Sequence, residues 1–334
     1  MSSVLTSAVT HHAVTHQTLE TNGIRMHVAE QGSGPLVLFC HGFPESWYSY
    51  RHQLRALAAA GFRAVAPDMR GYGQSDRPLA TDQYTLLHHV GDMLGVLDAL
   101  EEQQAVIVGH DWGAPVAWHA ALLRPDRFRA VAGLSVPYRP RGGARPTSVM
   151  PQTEREIFYQ LYFQEPGRAE AELERDVPLA LRRLLCGLSG SLAGQQPESR
   201  GAPGMVSRHA GFLNSLAPSD ELPPWLEQAD LDFYAGEYAR TGFRGGLEWY
   251  RNIDRNWELL APFHGARVEV PALYIAGEQD LVLAFRGMRE TIAELSRYAP
   301  RLRRTLILPR CGHWTQQEHP EPVNAALIEF LRGL

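Results

Sequence analysis

The chain has 334 residues, enough for one large globular domain or two closely packed ones, and it can bury roughly three quarters of its unfolded surface. Apolar residues make up 44 % of the sequence and charged residues 21 %, which is typical of a folded protein and excludes a disordered chain. The formal net charge of −5 predicts that neither nucleic acid nor an anionic membrane is a partner.

All 32 basic residues are arginines, which excludes a P-loop lysine and a Schiff-base lysine. The cysteines Cys40, Cys186 and Cys311 are odd in number and widely spaced, so they predict no disulfide framework, no metal site and a reducing, cytoplasmic setting. No apolar run reaches the ~18 residues of a membrane span. Residues 1–17 lack the pattern of a signal peptide and are predicted to form a loose tail.

Strand-like and helix-like segments alternate up to residue 136. The strand-like segments are short apolar or alternating runs at residues 24–30, 36–40, 63–66, 105–108 and 130–134. Between them, apolar residues recur at helical spacing over residues 47–60, 84–100 and 114–123. This alternation predicts an α/β fold, with a mostly parallel sheet and helices on both faces.

Strand signals disappear between residues 137 and 264. This stretch predicts helices at residues 154–164, 169–176, 179–188, 230–240 and 247–256, with an irregular loop over residues 189–219. Strands return at residues 272–275 and 304–308, and a helix over residues 321–334 ends the chain. The sequence therefore predicts a sheet domain formed by residues 1–136 and 265–334, interrupted by an all-helical lid over residues 137–264.

The pentapeptide GHDWG (residues 109–113) lies between a predicted buried strand and a predicted helix. Glycines at both ends permit a tight strand–turn–helix that exposes the central side chain, as in the G-x-S-x-G bend of hydrolases, with Asp111 in place of serine. The helix N-terminus favours an ionised carboxylate there. Asp111 is thus a candidate nucleophile, and capping of the helix is the alternative.

Two further polar residues follow later strands. Asp280 comes just after the predicted strand at 272–275, and His313 comes after the strand at 304–308. Both are expected at the same edge of the sheet as Asp111. His313 can act as a base while Asp280 fixes its tautomer, and the order nucleophile, acid, histidine argues against chance.

The tetrapeptide HGFP (residues 41–44) follows the buried strand at 36–40. A tight turn there can direct the Phe43 N–H into the cavity, and the Trp112 N–H is the natural second donor. Together these two groups would form an oxyanion hole.

Several longer motifs resemble the soluble epoxide hydrolase family of the α/β-hydrolase fold, and the resemblance extends from about residue 21 to residue 334. The motifs are HGFPESWYSYRHQL (residues 41–54), DMRGYGQSD (68–76), GHDWGAPVAW (109–118), YQLYFQEPG (159–167), WYRNIDRNW (249–257), GEQDLVL (277–283) and CGHWTQQEHP (311–320). The resemblance implies that Asp111 is the nucleophile, His313 the base and Asp280 its orienting acid. It also implies that Tyr159 and Tyr250 are ring-opening acids in the lid, and that the bond between Phe43 and Pro44 is cis.

The chemistry implied is conversion of a small apolar epoxide and water into a vicinal diol through an ester on Asp111, without a metal or an organic cofactor. Trp47, Phe163 and Trp314 are expected to line the substrate pocket. A homodimer is compatible with the sequence.

The sequence leaves two alternative functions open. A haloalkane dehalogenase uses the same logic of aspartate, histidine and acid, but Phe43 offers no side-chain donor for a halide and paired tyrosines suit an alkoxide better. A catalytically silent receptor could keep the pocket, although no member of the catalytic set is missing. A serine esterase is excluded because the bend carries Asp111.

Overall fold

The computed structural model describes residues 13–195, 202–216 and 221–334. The strands in these ranges are β1 (Thr15–Thr21), β2 (Ile24–Gln31), β3 (Leu36–Cys40), β4 (Arg63–Pro67), β5 (Ala105–His110), β6 (Phe128–Leu134), β7 (Glu156–Phe158), β8 (Met205–Ser207), β9 (Ala272–Gly277) and β10 (Leu302–Leu308).

The α-helices in the same ranges are α1 (Arg51–Ala59), α2 (Leu86–Ala99), α3 (Gly113–Leu123), α4 (Pro146–Val149), α5 (Tyr159–Tyr162), α6 (Arg168–Leu173), α7 (Val177–Gly187), α8 (Gln228–Thr241), α9 (Arg244–Arg251), α10 (Ile253–Leu259), α11 (Met288–Ala293), α12 (Leu295–Tyr298), α13 (Thr315–Glu318) and α14 (Pro320–Arg332). Short 3₁₀ helices lie at Trp47–Tyr50, Thr81–Tyr84, Gly190–Gln195, Leu213–Ser215, Ala261–Phe263 and Leu281–Ala284. No helix in the described ranges combines the length and the apolar character that crossing a bilayer requires.

Eight strands form one sheet in the order β1-β2-β4-β3-β5-β6-β9-β10. The pairs β1–β2 and β2–β4 are antiparallel, and every other pair in this sheet is parallel. The predicted α/β fold with a mostly parallel sheet is therefore confirmed.

Helices cover both faces of the sheet. Along β3, Leu36, Leu38 and Cys40 pack with residues of α2 and α3, whereas Val37 and Phe39 pack with residues of α1 and α14. A strand buried on both faces must be apolar throughout, which explains the continuous apolar runs in β3 and β5. Each fully buried aliphatic side chain contributes about 1.5–3 kcal/mol to folding.

The segment between β6 and β9 is not entirely helical, and in this respect the prediction was wrong. It carries α4 to α10, but β7 and β8 also form a two-stranded antiparallel sheet in which Glu156 pairs with Ser207 and Phe158 with Met205. The helix predicted over 154–164 is instead β7 followed by the short α5. A three-residue strand has no detectable periodicity, and its partner lies some fifty residues along the chain.

The loose tail predicted for residues 1–17 also needs correction. Residues 1–12 lie outside the described residues, but β1 begins at Thr15 and pairs along its length with β2. Only Leu19 and Thr21 of β1 are buried, so this edge strand has almost no apolar pattern to detect. The loop predicted over 189–219 lies partly outside the described residues and includes β8 and two 3₁₀ helices.

Candidate active site

Asp111 lies at the sharp bend between β5 and α3, with a left-handed backbone φ of +50°. L-residues rarely adopt this conformation, and Asp and Asn tolerate it best. A Cβ atom at Gly109 would collide with the Gly113 carbonyl, and a Cβ atom at Gly113 would collide with the Cys40 carbonyl. The spacing of the two glycines is therefore required for the close packing of strand, bend and helix.

The two carboxylate oxygens of Asp111 have different environments. Oδ1 accepts a hydrogen bond of 2.8 Å from the Phe43 N–H, which follows β3. Oδ2 lies 3.6 Å from Nε2 of His313. The predicted cis bond between Phe43 and Pro44 is present, and Trp112 directly precedes α3. One oxygen of Asp111 is thus held by the backbone, and the other faces the histidine.

Asp280 and His313 meet at the same edge of the sheet. Asp280 follows β9 and His313 follows β10, and these two strands are parallel neighbours. Nδ1 of His313 lies 3.0 Å from Oδ1 of Asp280, which also accepts a hydrogen bond from the Val282 N–H. A carboxylate can only accept here, so Nδ1 carries a proton, and Nε2 is the ring nitrogen that faces Asp111.

The charges at this site shift the pKa of His313 upward. Burial alone would lower the pKa of His313, but the carboxylates of Asp280 and Asp111 outweigh burial and hold it well above its usual value. Burial likewise opposes ionisation of Asp280, yet its contact with His313 lowers the pKa of Asp280 below the usual range. The arrangement therefore stabilises an imidazolium between two carboxylates.

Tyr159 and Tyr250 come from different elements, α5 and α9, and their ring centroids are 5.9 Å apart. The Tyr250 ring stands edge-on to Phe43 at 5.7 Å and to Trp112 at 5.1 Å. Burial raises the pKa of both phenols, and the charge of Asp111 raises it further. Both tyrosines therefore keep their protons at neutral pH and can donate them beside Asp111.

A glutamine side chain connects the two elements that carry these tyrosines. Nε2 of Gln164 donates to the carbonyl of Gln160, at 2.9 Å, and to the carbonyl of Tyr250, at 2.8 Å. Arg251 adds a hydrogen bond to the Phe163 carbonyl. These contacts fix α5 relative to α9, and hence one phenol relative to the other.

Of the three predicted pocket residues, two lie at the site. The Phe163 ring packs against Tyr250 at 4.9 Å and against Tyr159 at 5.7 Å. The Trp314 ring contacts the His313 ring at 4.7 Å, while its indole N–H donates to the Leu185 carbonyl.

Trp47 has different neighbours, and its place in the pocket stays a prediction. Its ring contacts His16, Tyr48 and Phe233, and its backbone N–H donates to Asp68. It belongs to the core cluster that contains the α1 and α14 side chains.

Sequence reasoning missed a buried pair behind the bend. The ring nitrogens of His110 face Oε2 of Glu45 at 2.7 Å and the His313 carbonyl at 2.7 Å. Burial opposes ionisation of Glu45, but His110 and neighbouring donors lower the pKa of Glu45 to about 2. The sequence did carry a signal for this pair, because Glu45 and His110 lie at or near the ends of buried apolar strands, where a polar side chain needs a hydrogen-bond partner.

Ser135 was missed as well. Its hydroxyl lies 3.2 Å from Nδ1 of His313, and its backbone φ is +68°. It directly follows β6, so a polar residue at the carboxyl end of a central parallel strand was the available signal.

Comparison with known proteins identifies the family. Residues 35–320 match the family model for the alpha/beta hydrolase fold. The chain is 46 % identical over 325 residues to epoxide hydrolase A of Mycobacterium tuberculosis, an alignment that covers 96 % of this chain and 98 % of that protein.

Two solved structures agree with that match. An epoxide hydrolase from an endophytic Streptomyces has a TM-score of 0.91 and 50 % identity, with 96 % of each chain covered. Epoxide hydrolase A from Mycobacterium thermoresistibile has a TM-score of 0.89 and 46 % identity, covering 96 % of this chain and 99 % of that one. The family resemblance is therefore confirmed, and the chain belongs to the epoxide hydrolases of the α/β-hydrolase fold.

Proposed function

We propose that this hydrolase converts an epoxide and water into a vicinal diol through a covalent ester on Asp111. The observation that carries the proposal is the Asp111 carboxylate, held by one backbone N–H and facing a histidine oriented by a second carboxylate. Membership of the epoxide hydrolases supports the same reaction. The substrates are then an epoxide and water.

In the first half of the reaction, Oδ2 of Asp111 attacks one carbon of the epoxide ring. The C–O bond of the ring breaks, and the developing alkoxide takes a proton from Tyr159 or Tyr250. Oδ1 does not attack, because it already accepts a hydrogen bond from the Phe43 N–H. Oδ1 instead becomes the carbonyl oxygen of the ester. A positioned acid of this kind typically contributes about 10²–10⁴-fold in rate.

In the second half, His313 takes a proton from a water molecule, which attacks the ester carbonyl carbon of Asp111. The N–H groups of Phe43 and Trp112 stabilise the charge that develops on Oδ1, and each such donor is worth about 3 kcal/mol. Collapse breaks the bond between that carbon and the substrate oxygen. The diol leaves with the proton from His313, and the remaining water proton restores the phenol.

Ester formation itself prepares His313 for the second half. In the free enzyme the charge of Asp111 helps to raise the pKa of His313. Esterification removes that charge, so the pKa of His313 falls, its second proton passes to solvent and the neutral imidazole becomes available as a base. The proton returns from solvent when the Asp111 carboxylate is regenerated. The base is thus activated only after the nucleophile has reacted.

The segment over residues 137–264 is proposed to act as a lid over the core formed by residues 1–136 and 265–334. Its support is that both proposed acids come from this segment, whereas Asp111, Asp280 and His313 follow strands of the sheet. A homodimer stays a prediction. A cytoplasmic location also stays a prediction, and the burial of all three cysteines is consistent with it.

The test is a single turnover in water enriched in oxygen-18, with enzyme in excess over a small aryl epoxide. We expect the first diol released to be unlabelled and the peptide that contains Asp111 to carry the isotope, because water attacks the ester and not the substrate. Label in the first diol, with none in the peptide, would exclude the covalent route. Chloride release from a haloalkane, measured in parallel, tests the dehalogenase alternative, and we expect none.

Asp280→Asn should lower kcat by about 10⁴-fold, because an amide no longer fixes the tautomer of His313. The residual activity should also show a changed pH profile. The charge of Asp280 raises the pKa of His313, so its removal favours the neutral base at lower pH. We therefore expect the acid limb of kcat to move to lower pH.

The measurement is kcat against pH for Asp280→Asn and for Glu278→Gln, an exposed carboxylate on the same loop. The control variant should keep the wild-type profile. An acid limb in Asp280→Asn at the wild-type pH would contradict electrostatic coupling between Asp280 and His313.

A further inference from the structure

The hydroxyl of Tyr159 has a neighbour that the reaction described above does not use. Nε2 of Gln160, the next residue in α5, lies 3.0 Å from the Tyr159 hydroxyl oxygen. The backbone carbonyl of Gln160 is held in turn by Gln164, which also holds the Tyr250 carbonyl. The half-buried Gln160 is therefore fixed at the point where the two tyrosine-bearing helices meet.

We propose that Gln160 is a positioning residue: its amide N–H donates to the Tyr159 oxygen and so directs the Tyr159 proton toward the epoxide oxygen. The inference rests on the proposed function, since it assigns Tyr159 as an acid. A phenol has one proton and can also accept hydrogen bonds. When a neighbouring N–H occupies the acceptor side, the proton of the phenol must point elsewhere.

Within the described part of the chain, the surroundings of Tyr159 offer its hydroxyl proton no strong acceptor other than the substrate. Its ring is enclosed by aromatic rings, those of Phe158, Phe163, Phe285 and Tyr250. Ring edges and faces are poor acceptors for a phenol proton. The strong acceptor expected at this place during the reaction is the oxygen of a substrate held between the tyrosines and Asp111.

The hydrogen bond also acts on acid strength. Burial raises the pKa of Tyr159 and the charge of Asp111 adds to this, whereas the hydrogen bond from Gln160 acts in the opposite direction. A donor at the oxygen stabilises the phenolate that forms as the proton leaves. Gln160 thus favours proton transfer at the moment when the ring opens.

Tyr250 has a comparable partner. Burial and Asp111 raise the pKa of Tyr250, and a hydrogen bond from the Trp112 side chain opposes them. The effect on the pKa of Tyr250 thus has the same direction as the effect of Gln160 on the pKa of Tyr159.

The test compares Gln160→Glu with Gln160→Met by following ester formation in a single turnover. Methionine removes the donor, and we expect the alkylation rate to fall about tenfold. Glutamate has nearly the same shape but only accepts, so it would capture the Tyr159 proton. For Gln160→Glu we therefore expect a fall of about a hundredfold, with ester hydrolysis changed little, because that step uses His313.

The control for the added charge is Gln152→Glu, an exposed position of the same segment whose side chain already accepts from Arg208. It should keep the wild-type rate. Both Gln160 substitutions should also be made in a Tyr159→Phe background, where there is no hydroxyl to orient. There we expect no further loss beyond about twofold, because the two positions act through one interaction.

Equal losses from the Gln160 substitutions with and without the Tyr159→Phe substitution would assign Gln160 to packing alone and overturn the inference. So would a Gln160→Glu variant no slower than Gln160→Met. Failure of the proposed function gives a different pattern: the unsubstituted protein would form no ester, or Tyr159→Phe alone would leave ring opening unchanged. If Gln160→Glu does not fold, the uncharged Gln160→Met variant provides the test. Its alkylation rate is then compared in the unsubstituted protein and in the Tyr159→Phe background.

Discussion

Asp111→Ala should abolish diol formation, with a fall in kcat on the order of 10⁴-fold or more, because the variant lacks the carboxylate on which the proposed ester forms. Asp111→Asn should also abolish diol formation, because an amide cannot act as the nucleophile. The asparagine variant is the better test of fold, because asparagine tolerates the left-handed φ of +50°, whereas alanine there costs about 1–2 kcal/mol.

The measurement is diol formation by the purified variants, together with thermal unfolding. The Asp111→Ala variant should unfold at a lower temperature than the Asp111→Asn variant, yet both variants should be inactive while folded. Measurable turnover by folded Asp111→Ala, clear of contaminating activity, would remove Asp111 from the mechanism.

The variant with both Tyr159→Phe and Tyr250→Phe should lose nearly all ring opening, by about 10²–10⁴-fold in the alkylation rate. Each single substitution should cost less, because the remaining phenol can still stabilise the alkoxide. Phenylalanine keeps the ring contacts with Phe43 and Phe163, so the fold should be preserved.

Single-turnover kinetics of the two single variants and the double variant provide the check. The loss must appear in ester formation and not in its hydrolysis. A double variant that opens the ring at a nearly normal rate would show that the protons come from another group.

The main sheet and the bend could be predicted from the sequence because their signals are local. β3 and β5 are continuous apolar runs, and the glycines around Asp111 are required by backbone contacts that leave no room for a side chain. Asp280 and His313 could be placed because each follows an apolar run, and parallel neighbouring strands end at one edge.

Features that depend on distant partners escaped prediction. The pairing of β7 with β8 joins two three-residue strands that are far apart in the sequence and carry no clear period. β1 escaped for another reason, because most of its residues are exposed, although its partner β2 follows directly along the chain. The contacts of Gln160 require the rotamer of a side chain, which no sequence pattern specifies.

The split origin of the reactive groups has a further consequence. The phenols proposed to protonate the alkoxide belong to helices inserted between β6 and β9, whereas the groups proposed to cleave the ester follow strands of the sheet itself. Displacing the inserted helices would therefore block opening of the epoxide ring but not hydrolysis of the ester. An enzyme already carrying its ester could release the diol with those helices displaced, and the phenolate would then regain its proton from solvent.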